Sequence, residues 1–139
     1  MPVARTRWRA EGPGLARGFV IRMRLRCPPE RVWGRLVDPD ARGPGHHCTV
    51  QDGTAAVVTE YQPKHRYALS SRWKDILTTH RYTLRGSQRG TDLVLRMMCD
   101  ANGGWWARHS FSVMGLWLQD RRRLRRMKRE LEAAEQGRS

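Results

Sequence analysis

From Phe19 to Cys27 the chain alternates. Phe19, Ile21, Met23, Leu25 and Cys27 share one phase, and Val20, Arg22, Arg24 and Arg26 share the other. Period two with one charged face predicts a half-buried antiparallel strand. Pro28-Pro29-Glu30 stops it. Proline at the first helical position and an acid in the first turn predict a helix start there. Val32, Trp33, Leu36 and Val37 fall at helical spacing, and Asp38-Pro39-Asp40 ends the helix. A short strand over 46–51 then leads to the turn Asp52-Gly53. Further strands are predicted over 55–62, 67–74, 77–85 and 91–100, separated by turn chemistry at Pro63-Lys64-His65 and from Gly86 to Gly90. This order is a meander of hairpins, without βαβ crossovers.

Asn102-Gly103-Gly104 breaks the sheet pattern. One long helix is predicted from Trp105 to Glu135. Its apolar stripe runs Val113, Trp117, Leu124, Met127, Leu131 and Ala134, and Arg121-Arg122-Arg123 and Arg125-Arg126 fill the other faces. Such a helix is roughly 45 Å long. Its stripe needs a partner, and the concave face of the sheet is the available one.

The residues up to Gly18 are rich in Arg, Gly and Pro, so 1–18 reads as a flexible N-terminal arm, 19–136 as one domain and 137–139 as a tail. At 139 residues and 39% hydrophobic, the chain has the size and the apolar content for a single core. No apolar run reaches the roughly 20 residues of a membrane span. Met1 to Leu15 lacks the apolar stretch of a secretion signal. A cytoplasmic protein is expected. Cys27, Cys48 and Cys99 are far apart and odd in number, which fits reduced thiols in or near a core.

The net charge of +14 changes the picture. It raises nucleic acid, anionic membrane or acidic protein as partners. All but three of the 27 basic residues are Arg, the exceptions being Lys64, Lys74 and Lys128. Codon bias in a GC-rich genome produces the same skew, and both explanations stay open. The aromatics fall mostly on inward phases, which disfavours nucleic acid.

Four local features resemble the START-like (SRPBCC) superfamily, in particular its polyketide cyclase/dehydrase branch. They are Cys27-Pro28-Pro29-Glu30-Arg31-Val32-Trp33 with Leu36-Val37-Asp38-Pro39, the hairpin Tyr61 to Tyr67, the turn Gly90-Thr91-Asp92-Leu93-Val94-Leu95, and the closing helix Leu124 to Leu131. The resemblance implies an α+β helix-grip fold: a curved antiparallel sheet of about six strands around a long C-terminal helix, with a short helix after the first strand. It also implies a small hydrophobic ligand, polyketide-like or lipid, held between sheet and helix without a cofactor. Fold alone does not fix function. A cyclase, a non-catalytic carrier and a basic adaptor for RNA or an acidic protein all remain.

Strand phase selects the candidate site. On 77–85, Arg81 and Arg85 mark the outward set, which turns Thr78, His80, Tyr82 and Leu84 inward. Arg72 and Lys74 do the same for Tyr67, Leu69, Ser71 and Trp73, and on 91–100 the inward set includes Met97 and Cys99. Imidazole exchanges protons near neutral pH, so His80 is the candidate general acid/base, with Tyr82 as a donor to an enolate or alkoxide. A histidine satisfied within a mixed core is the alternative. Ser71, Trp73, Thr78, Met97, Cys99, Trp105, His109, Val113 and Trp117 are the candidate ligand contacts. Trp105 and Trp106 after Gly103-Gly104 suit a lid. Adjacent His46 and His47 point to opposite faces of a strand and cannot chelate together, so no metal is expected. For the Arg-rich surface, an acidic acyl carrier protein is the partner a cyclase would use, steered by charge. Monomer and homodimer stay open.

Overall fold

The computed structural model describes residues 14–49, 55–73, 76–102 and 112–138. The elements follow the order β1 (Gly14–Leu25), α1 (Pro29–Leu36), β2 (His47–Thr49), β3 (Ala55–Gln62), β4 (Arg66–Trp73), β5 (Ile76–Ser87), β6 (Gly90–Asn102) and α2 (Ser112–Arg138). The six strands form one antiparallel sheet in the order β1-β6-β5-β4-β3-β2. The helix-grip arrangement expected from the sequence is the one observed. Among the described residues, no helix is long and apolar enough to cross a membrane.

The register places the inward residues in cross-strand rows. Phe19, Met97, His80 and Leu69 form one row, and Ile21, Leu95, Tyr82 and Tyr67 the next. Leu25, Val32, Val58, Tyr67, Leu93, Leu95 and Leu124 are the almost fully buried centre of the core. α2 closes it with Leu124, Met127 and Leu131, spaced by three and four residues. Ala134, read as part of the same stripe, is exposed. There Glu135 instead pairs with Arg31 of α1 at 3.2 Å.

Three local differences have physical causes. β1 starts at Gly14 because its pairing with β6 extends to Asn102, well before its hydrophobic alternation begins. β3 carries a bulge between Val58 and Glu60. It lets Val58 and Tyr61 both face the core while Glu60 reaches Arg81 at 3.1 Å and Arg66 at 3.6 Å on the opposite face. The β5–β6 hairpin zips to its tip, pairing Ser87 with Gly90. Gly90 has φ +135°, and a Cβ there would stand 2.0 Å from the Leu25 carbonyl oxygen. Next to it, buried Thr91 donates to the Cys27 carbonyl at 2.8 Å. The Gly-Thr turn thus binds the start of β6 to the entry of α1.

α1 begins as its prolines predict, with Pro28 as N-cap and Pro29 in the first turn. Val32 is buried, and Trp33 and Leu36 pack against the core. Trp33 meets Tyr61 and Tyr67 edge-on, with ring centroids 5.5 and 5.8 Å apart. The predicted turn at Asp52-Gly53 and the start of the long helix before Ser112 lie outside the described residues.

Candidate functional site

β5 delivers His80 and Tyr82 to the inner face, two residues apart, as alternation requires. α2 lies over them. His80 Nε2 is 3.0 Å from Asp120 Oδ2. Arg123, one helical turn on, donates from Nη2 to Asp120 Oδ1 at 3.3 Å and to the Tyr82 hydroxyl at 2.5 Å. The result is a chain of four polar groups, His80–Asp120–Arg123–Tyr82, running between sheet and helix.

Each group is placed for a reason. Asp120 is 7% exposed, and a buried carboxylate needs partners. It has two, an imidazole and a guanidinium. Tyr82 is 4% exposed, and burial pushes its phenol above the ordinary range although the Arg123 charge opposes this. The phenol therefore stays protonated at neutral pH. Its oxygen accepts from Arg123, so its own proton is left for donation. Burial works against the Arg123 charge, but Tyr82 and Asp120 outweigh it and raise its pKa. The guanidinium also lies 5.7 Å from the centroid of the Tyr82 ring. The His80 side chain keeps 24% exposure, against 11% for Asp120. The imidazole thus contacts a buried carboxylate and keeps partial exposure to solvent.

The other expected contacts sort into three groups. Ser71, Thr78 and Cys99 are cross-strand neighbours on the inner face, and Met97 pairs with His80. They form one patch beside the polar chain. Met97 and Cys99 are buried with Ile76 in a small satellite cluster that Phe19 and Leu116 flank. Burial pushes the Cys99 thiol up, with Thr78 opposing it by a hydrogen bond. Trp117 is half-buried against the core, with the Arg121 guanidinium 4.9 Å from its ring centroid. Trp73 and Val113 belong to β4 and α2, but their side chains, like all of Trp105 and His109, lie outside the described residues.

Asp120 and Arg123 were not among the expected site residues. Asp120 was findable. It is the single acid between Asp100 and Glu130 and sits on the stripe that runs through Trp117, Leu124 and Met127. A carboxylate on a buried stripe asks for a partner. Arg123 gave no such signal, because the run Arg121-Arg122-Arg123 reads as a solvated face.

No family profile matches the sequence, and no curated protein matches it. Solved structures do. StfQ, a di-domain ARO/CYC protein of the steffimycin biosynthetic pathway, superposes with a TM-score of 0.64 at 13% identity, over 88% of this chain and 52% of that one. The fold is START-like. MLL2253 of Mesorhizobium loti shares this START-like arrangement with a TM-score of 0.57, 19% identity and coverage of 74% and 90%. CalU16 of Micromonospora echinospora gives 0.53 and 23%, with 60% and 59% covered. The chain thus spans about half the length of StfQ, which is a two-domain protein.

Proposed function

We propose that the chain binds a small, largely apolar molecule against the inner face of its sheet and promotes cyclisation or dehydration of it by proton transfer. The observation that carries this reading is the His80–Asp120 pair at 3.0 Å, with a buried carboxylate behind a partly exposed imidazole. That arrangement orients a general base. Asp120 holds the Nε2 proton, and Nδ1 removes a proton next to a substrate carbonyl. The resulting enolate oxygen needs a donor. Tyr82 supplies it, its O–H polarised by Arg123. For loss of water the same groups act in the other direction, with protonated His80 delivering a proton to the departing hydroxyl. Likeness to an ARO/CYC protein of a biosynthetic pathway supports the substrate class, a polyketide-like intermediate.

Native mass spectrometry of the purified protein identifies a retained ligand, and turnover of that ligand is then followed in variants. His80→Phe is expected to lower kcat by about a hundredfold or more, and Asp120→Asn by a smaller factor. Unchanged turnover in His80→Phe removes the catalytic assignment.

A non-catalytic carrier is the second reading. It is favoured by the way the four polar groups already bond to one another. A carrier gains thermal stability with ligand while no product forms.

A further inference from the structure

The carboxylates near the C-terminal end of α2 are engaged. Glu130 and Glu135 pair with Arg35 and Arg31 of α1, and Glu132 accepts from the Arg26 main-chain N–H. The flank toward β1 carries cations. Six basic residues between Arg121 and Arg129 form one wall of a groove of about 680 Å³, and β1 residues 21–24 form the other. Arg22 and Arg24 add two charges, Ile21 and Met23 add apolar surface, and no carboxylate is among the lining residues. Of these cations only Arg24 has an ion-pair partner among the described residues, Asp92 at 2.9 Å.

The geometry of the β1 wall is informative. Successive strand residues point to opposite faces, so four consecutive residues line a groove only where it follows the strand's edge. β1 is the outermost strand and pairs with β6 alone. Its outer edge presents main-chain N–H and C=O groups in alternation. A phosphodiester backbone would set its oxygens against those carbonyls. An extended peptide complements both kinds of group. The walls also match in length. Residues 21 to 24 span about 10 Å of strand, and Arg121 to Arg129 spans about 12 Å of helix. On an added strand, side chains of one phase would meet the α2 cations, and those of the other would meet Arg22 and Arg24.

We propose that this groove takes an extended acidic segment of a partner protein, added as a further strand along β1. Main-chain pairing supplies the direction and the arginines select the charge.

The test uses fluorescence anisotropy at low salt on the full chain with three labelled probes: octaglutamate, octaglutamate N-methylated at every second residue, and an eight-nucleotide oligouridylate of similar charge. Octaglutamate is expected to bind. N-methylation is expected to weaken binding about tenfold or more by removing the donors a strand needs. Arg125→Glu with Arg129→Glu is expected to weaken it by a similar factor, with folding verified by circular dichroism. Amide exchange over residues 20–25 should slow when octaglutamate is bound. Equal binding of the N-methylated peptide would overturn the proposal in favour of a charge-only surface. Tighter binding of oligouridylate would overturn it in favour of nucleic acid. Unchanged affinity in the double variant would remove the groove from either.

Discussion

Arg123 touches both halves of the polar chain at the site, so its removal reaches further than a surface arginine would. Arg123→Met leaves the buried Asp120 carboxylate with His80 alone and the Tyr82 hydroxyl without its donor. Urea unfolding should show a loss of about 2 kcal/mol. Tyr82→Phe keeps the Arg123–Asp120 contact and should cost only about 1 kcal/mol. Equal costs would mean that the phenol, not the carboxylate, is what Arg123 serves. A second phenol reports through pH. Burial pushes Tyr67 up to about 12, against the Asp38 N–H that donates to it. The folded state therefore holds the Tyr67 proton more tightly than the unfolded chain, whose tyrosines lose theirs near pH 10. The stability this confers is complete below pH 10 and disappears as pH rises toward 12. Tyr82, also raised, adds to the same slope. The melting temperature should fall steeply between pH 10 and 12, and more gently in Tyr67→Phe.

The elements were readable because β4, β5, β6 and β1 from Phe19 onward carry charge on one phase only. Arg81 and Arg85 were enough to turn His80 and Tyr82 inward, and the register with β6 agrees. The bulge in β3 was not readable, since strict alternation past Val58 would have sent Glu60 into the core. The half of the site that comes from α2 was hidden for another reason. A helix exposes polar residues over most of its circumference, so a functional Arg inside an Arg run has no contrast. The Gly90-Thr91 turn was legible as a turn, and its demand for glycine comes from tertiary contact. Gly90→Ala forces a Cβ toward the Leu25 carbonyl at φ +135° and should cost at least about 2 kcal/mol in chemical unfolding. Gly34, in α1, has nothing within 4 Å of its would-be Cβ. Gly34→Ala should stabilise by about 0.5 kcal/mol, because alanine loses less entropy in a helix. If both substitutions destabilise alike, crowding at Gly90 is not the cause.

Over the whole molecule, the carboxylates are largely spent on internal structure. Glu60 answers Arg81 and Arg66, Asp92 answers Arg24, and Glu130 and Glu135 tie α2 to α1. The excess of +14 is left to the surface, and eight of its cations line the groove where α2 faces β1. Exposed ion pairs contribute about 0–1 kcal/mol each, so screening them loses little. Screening repulsion among the crowded cations gains more, because it acts between many like charges at once. The Debye length falls from about 30 Å at 0.01 M salt to about 10 Å at 0.1 M. The melting temperature should therefore rise over that interval, by about 3 °C for a domain of this size. Arg125→Glu with Arg129→Glu removes part of the repulsion in advance. That variant should melt higher than the parent at 0.01 M and respond less to added salt. A parent whose melting temperature falls with salt would mean that the ion pairs outweigh the repulsion, and the groove would then be no store of electrostatic strain for an acidic partner to relieve.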